Sequence, residues 1–147
     1  MAFTLRQAIR TDLPGIWSVR YAVTENTPTP GRISDEEVIE AIEQTGRGWV
    51  VEQQGGIVAF AIGNVQTGNI WALFVHPNAQ GLGHGGRLHD EMLAWLRSVK
   101  LPLLWLTTGV TTRACGFYER KGWRKVGEPE GGEFRYEMNL EPEAAER

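Results

Sequence analysis

Cysteine is nearly absent. Cys115 carries the one thiol in 147 residues, so no disulfide can form within the chain and its stability must come from a buried apolar core. Long apolar runs are missing too. None approaches the ~20 residues a helix needs to cross a bilayer, so a membrane partner is not expected. There is no surplus of basic charge: 15 Lys and Arg stand against 18 Asp and Glu, for a net charge of -3. Such a chain offers little to nucleic-acid phosphates, and no nucleic-acid partner is expected. The opening MAFTLRQAIRTDL lacks a cationic stretch followed by an apolar core, so no secretory signal is read and the expected compartment is cytoplasmic. His84 and His89 have no carboxylate or cysteine in register to complete a ligand set, so no metal site is expected. No repeat, low-complexity tract or linker is visible. Residues 1–141 read as one domain and 142–147 as an acidic tail.

What is present is a series of short elements. FTLRQAI alternates as a strand would. Asp12 is placed to cap a helix with Pro14 in its first turn. ENTPTPGR, residues 25–32, reads as a loop. Ser34 with Glu37 forms a capping box for a helix carrying Val38, Ile39 and Ile42. WVVEQ and IVAFAIGNV flank QGG as a hairpin, and NIWALFV is a strand stopped by Pro77. From about His84 to Lys100, the residues Leu88, Met92, Trp95, Leu96 and Val99 share one helical face. LLWLTT is another strand, TTRACGFYERKGW a short helix ending near Gly122, and FRYEMNL a final strand. Trp71, Trp95, Trp105 and Trp123 fall on apolar patterns and are expected in the core. Cys115 reads as a small core residue, and His89 as part of a solvated face.

One stretch stands apart. HPNAQGLGHGGRLHDEM, residues 76–92, places Gly81, Gly83, Gly85 and Gly86 at the mouth of a helix. The first N–H groups of a helix have no internal partner, and the macrodipole adds partial positive charge. Glycine lets that backbone approach a ligand closely and take positive φ. A phosphate-bearing ligand therefore fits at residues 80–86; a tight turn that merely closes a strand–helix connection is the plainer alternative. Gly81, Gly83 and Gly86 also match the dinucleotide pattern G-x-G-x-x-G. That pattern belongs after a first strand, with an acidic residue about 20 positions on, and neither condition holds. The P-loop is excluded because no Lys-Ser or Lys-Thr follows the glycines.

LFVHPNAQGLGHGGRLHDEML resembles the central motif of the Gcn5-related N-acetyltransferase (GNAT) family. Gln80, Gly83 and Gly85 stand at its defining positions, with Gln where Arg is commoner. ACGFYERKGW is similar to a second family segment, matching at Tyr118, Gly122 and Trp123. The resemblance runs over almost the whole chain, and the fold it implies is α+β: a mixed, mostly antiparallel sheet in three layers, with helices on both faces and a splayed strand pair at the cofactor site. It implies acetyl coenzyme A as co-substrate, its pyrophosphate on the N–H groups of Gln80, Gly81, Leu82, Gly83, His84 and Gly85. The pantetheine arm would lie along the preceding strand, bonded to main-chain groups of Leu73, Phe74 and Val75 as an added strand is. His84 would contribute its backbone N–H alone. Thr111 stands where the family has a helix-starting asparagine and could bond the pantetheine or cap the helix.

The match assigns Tyr118 as general acid. A phenol with a pKa near that of a thiol can protonate the departing sulfur; the alternative for Tyr118 is packing, with its hydroxyl reaching solvent. The family's glutamate bases correspond to Asn69 and Thr107, which cannot accept a proton at neutral pH, and Glu25 and His76 are conceivable substitutes. The acceptor is an amine of a small molecule or peptide; Arg20 with Arg32 would favour one that carries a carboxylate, and Trp17 could line its site. A homodimer is allowed. A non-catalytic acyl-CoA sensor on the same fold is the competing function, permitted by the missing base and disfavoured by the phenol.

Overall fold

The structure is a computed structural model and describes residues 2–24 and 33–140. The elements run β1 (Phe3–Gln7), α1 (Leu13–Ala22), α2 (Asp35–Glu43), β2 (Gly46–Gln53), β3 (Gly56–Asn64), β4 (Ile70–Val75), α3 (His84–Ser98), β5 (Leu103–Gly109), α4 (Arg113–Arg120), β6 (Arg124–Glu130) and β7 (Glu133–Asn139). Single 3₁₀ turns lie at Arg10–Asp12 and Pro77–Ala79. The loop expected at residues 25–32 and the acidic tail lie outside the described residues.

Local chemistry sets most boundaries. Glu37 N–H donates to the Ser34 hydroxyl at 3.1 Å, and Ser34 N–H to the Glu37 carboxylate at 3.0 Å, closing the expected capping box. Gln54 and Gly55 both take positive φ, 54° and 79°, the twist that joins two antiparallel strands by a two-residue turn. Gly131 and Gly132 do the same between β6 and β7. Asp12 departs from expectation, since its side chain does not cap α1. Its carboxylate is taken instead by the Arg6 guanidinium at 2.8 Å on both oxygens and by Ile9 N–H at 2.9 Å. A bidentate charged pair outweighs a single cap bond.

The strands form two sheets, ordered β1-β2-β3-β4 and β5-β7-β6, all neighbours antiparallel. Between them runs one isolated parallel bridge, Asn69 to Trp105. Gly68 makes that junction possible. Its carbonyl accepts Trp105 N–H at 3.0 Å, and at φ 77° a Cβ there would stand 2.4 Å from the Leu103 carbonyl oxygen. Directly after the bridge the β3–β4 register slips, Ile62 facing Ala72 but Gly63 facing Ile70. Trp71 is thus the extra residue of a bulge, and bulges bend the strand that carries them. β4 leaves β5 at that bend.

Helices cover both faces of the β1–β4 sheet and one face of the β5-β7-β6 sheet. Ile16 and Val19 of α1 with Val38 and Ile42 of α2 pack on Val50, Phe60 and Ile62. On the other face Leu88, Met92 and Leu96 of α3 and Tyr118 of α4 pack on Val51, Ala61, Leu104 and Leu106. Burying each large side chain contributes about 1.5–3 kcal/mol. The tryptophan expectation holds for Trp123, at 4% exposure. Trp95 is half-buried, edge-on to Trp49 at 5.7 Å, and Trp105 is half-buried. Trp71 is not core: the bulge leaves it 37% exposed. Val99 is also exposed, because α3 ends at Ser98 and its periodicity with it.

Candidate functional site

Beyond the Asn69–Trp105 bridge, β4 has β3 on one side and β5 has β7, and among the described residues nothing pairs with the edges that face each other. A cleft of about 690 Å³ opens there. Leu73, Phe74 and Val75 form its β4 wall, Leu106, Thr107 and Thr108 its β5 wall, and Phe117 and Tyr118 close it from α4. Gln80, Gly81, Gly83, His84 and Gly85 border its mouth. Two residues expected at the site do not line it. Leu82 has a half-exposed side chain, and its carbonyl accepts the Arg87 guanidinium at 2.8 Å. Thr111 is exposed, and the residue that opens α4 and borders the cleft is Thr112. Neither threonine caps the helix with its side chain: Thr112 Oγ1 donates to the Gly109 carbonyl at 2.9 Å.

The loop has the geometry of an anion cradle. Gly81 and Gly83 sit at φ 82° and 86°, and Gly83 is the N-cap of α3. The first i→i−4 bond of that helix runs from Arg87 N–H to the Gly83 carbonyl at 3.1 Å. The N–H groups of His84, Gly85 and Gly86 therefore precede the helix's own ladder and remain available at its positive end. A Cβ on Gly85 would lie 3.6 Å from Val75 and 3.7 Å from Phe117, which puts this backbone against the cleft wall. Arg113 donates to the Gln80 side chain at 2.6 Å, tying the loop to α4 across the mouth. The His84 ring is buried against Phe3, centroids 4.9 Å apart, with no hydrogen-bond partner for either nitrogen among the described residues. Burial pushes its pKa below the ordinary histidine value.

Tyr118 is 6% exposed, so its hydroxyl does not simply reach bulk solvent. Rings enclose it: Phe117 at 5.2 Å, Trp123 at 5.6 Å and Tyr136 at 6.3 Å. Burial raises the phenol well above its usual pKa, away from the thiol match expected of it. A phenol in that state keeps its proton across the working pH range and presents a standing O–H donor. His89 departs from its expected solvated face. It is buried, its Nε2 accepts the Trp123 indole N–H at 3.0 Å, and its Nδ1 meets the Asp90 carboxylate at 2.9 Å. Indole only donates, so Nε2 carries the lone pair and Nδ1 the proton. Cys115 is half-buried, its thiol on the Gly109 carbonyl.

The expected base positions hold no base. Asn69 donates its side-chain amide to the Trp105 carbonyl at 3.3 Å, and Thr107 borders the cleft with a hydroxyl. His76 Nδ1 already accepts Asn78 N–H at 3.0 Å. Glu25 and Arg32 lie outside the described residues. Arg20 reaches the cleft, its guanidinium 4.3 Å over the Phe74 ring, while Trp17 stacks on Tyr21 and donates to Asp35 at 2.9 Å. Sequence reasoning missed Thr112, Arg113 and Glu133, all of which border the cleft. Glu133 had no local signal at all, since only the β5–β7 register brings it there.

Comparison with known proteins agrees with this geometry. Residues 7–123 match the sequence profile of the acetyltransferase (GNAT) family. The fold is similar to that of the ribosomal-protein-S18-alanine N-acetyltransferase of Escherichia coli, with a TM-score of 0.80 at 19% identity over 97% of each chain. It is similar to the PaiA N-acetyltransferase of Thermoplasma acidophilum, solved in complex with coenzyme A, with a TM-score of 0.78 at 15% identity over 95% of this chain and 99% of that one. YncA of Salmonella typhimurium, a putative acetyltransferase solved with acetyl-CoA, gives 0.78 at 16% identity over 98% and 97%. No curated protein matches in sequence.

Proposed function

Because the chain belongs to the acetyltransferase (GNAT) family, we propose that it moves the acetyl group of acetyl coenzyme A onto a primary amine of a small molecule or peptide. The observation that carries this reading is the gap itself: two strand edges without partners among the described residues, ending at a helix N-terminus whose first N–H groups are unspent there. The coenzyme has matching parts, an amide-bearing arm and a pyrophosphate. The coenzyme A and acetyl-CoA bound in two of the similar structures lend further support.

When bound, the coenzyme supplies an acyl group activated as a thioester. This chain's residues do the rest. Main-chain groups of Leu73, Phe74 and Val75 hold the arm as a neighbouring strand would. The N–H groups from Gln80 to Gly85 hold the phosphates, while the Arg113–Gln80 contact fixes the loop against α4. Tyr118 directs its O–H at the sulfur side of the gap, where it stabilises the departing thiolate and delivers a proton. Enclosure by Phe117, Trp123 and Tyr136 keeps that proton on the phenol until the thiolate forms.

The experiment has two parts. Acetyl coenzyme A at a hundredfold excess over its Kd should stabilise the fold by about 2.7 kcal/mol, read as a rise in Tm. A screen of amines, amino acids and peptides should then find acceptors that release free thiol. An unmoved Tm removes the coenzyme from the reading. Stabilisation without thiol release from any acceptor favours an acyl-CoA sensor instead.

A further inference from the structure

We propose that Glu133 receives the ammonium of the acceptor and takes its proton, an assignment that rests on the amine-transfer reading above. The two faces of β5 carry different chemistry. Leu104 and Leu106 point into the core beneath α3 and α4, so by alternation Trp105, Thr107 and Gly109 point the other way. Residues directly opposite across a pair share a face, and β7 sets Glu137 opposite Trp105, Arg135 opposite Thr107 and Glu133 opposite Gly109. The Arg135 guanidinium, 4.5 Å over the Trp105 ring, marks that shared side.

Within this row the acids differ. Glu137 is held by Arg135 at 2.9 Å and by Arg124 at 3.5 Å. Glu133 borders the cleft, and its carboxylate has no hydrogen bond or ion pair among the described residues. Opposite it stands Gly109, which has no side chain to screen the carboxylate from the gap. The hairpin turn at Gly131 and Gly132 fixes its backbone. Tyr118 reaches the same cleft from the α4 side, so a proton taken on one face of the gap is delivered on the other.

The chemistry gives such a group a task. An amine at neutral pH is an ammonium without a lone pair. Its first proton passes to the Glu133 carboxylate, directly or through one water, and the freed pair forms the C–N bond at the thioester carbonyl carbon. The C–S bond then breaks with its electron pair on sulfur. The adduct's nitrogen gives its second proton to water, the thiolate takes one from Tyr118, and water restores the phenol while Glu133 returns its proton to solvent.

The test is Glu133→Gln and Glu133→Asp, measured by thiol release from pH 6 to 10 with the best acceptor of the screen and with glycinamide, beside calorimetry of acetyl coenzyme A binding. Glu133→Gln should lower kcat roughly 10²-fold at neutral pH and leave coenzyme affinity unchanged. Its rate should climb about tenfold per pH unit as the free amine grows, while Glu133→Asp recovers part of the neutral rate. A Glu133→Gln enzyme with the wild-type rate and profile overturns this assignment and leaves the transferase reading intact. A wild type that binds coenzyme and releases no thiol with any amine overturns both.

Discussion

At the scale of single residues, Tyr118 and Glu133 show what a sequence carries and what it hides. Tyr118 sits in a segment whose neighbours, Gly122 and Trp123, are local and legible. Its environment was not legible: Phe117 is adjacent, but Tyr136 arrives from the far end of the chain and with it the burial that raises the phenol. A donor that meets the sulfur only as the thioester breaks is worth more in the transition state than in the ground state. Tyr118→Phe should therefore lower kcat by roughly 10²–10⁴-fold while acetyl coenzyme A affinity, measured by calorimetry, stays nearly constant. Normal turnover would make Tyr118 a packing residue. Glu133 borders the cleft only through strand register, and His89 joins the core through Phe117, Tyr118 and Trp123; both are long-range facts that a one-dimensional reading cannot reach. The structure sets Thr112, one position past Thr111, at the cleft, since a helix start is where chain spacing is loosest.

Among the elements, the N-terminus of α3 was the most legible, since glycine spacing followed by an amphipathic pattern has few other uses. The turns at Gln54–Gly55 and the Ser34–Glu37 box were also written locally. The parting of β4 from β5 was not: it depends on a bulge at Trp71 and on the close approach at Gly68, which look like ordinary strand and loop residues. The cradle's glycines do different work. Gly83 sits at φ 86°, so any side chain there strains the backbone by about 1–2 kcal/mol before a ligand is considered. Gly85 has no such φ and stands 3.6 Å from Val75 through its absent Cβ. Gly85→Val should therefore keep the fold, seen as an unchanged circular dichroism spectrum, and lose coenzyme affinity at least tenfold. His84→Leu retains the backbone N–H and fills the ring's space, and its affinity should remain within about threefold. Equal losses from both would move binding from backbone to side chains.

For the molecule as a whole, pH reports on the two buried histidines. Both His84 and His89 have pKa values pushed down by burial, so the native state prefers them neutral while the unfolded chain binds their protons near pH 6.5. Their stabilising effect is complete above that pH and is lost as pH falls from 6.5 toward the depressed native values. Tm should therefore drop between pH 7.5 and 5, as thermal melts across that range would read. His84→Leu should shrink that drop, whereas an identical acid limb would exclude His84 as its source. The pairing of β5 has a further consequence, for the chain as it is being made. Domains are synthesised from the N-terminus and fold as units, and β1 to β4 can zip in sequence order as each strand follows its neighbour. β5 cannot. Its strand partner is β7, not the β6 that comes next, so the wall of the cleft stays unformed until residues 133–139 have left the ribosome. A nascent chain can thus own a finished glycine loop while the cleft still lacks its second edge.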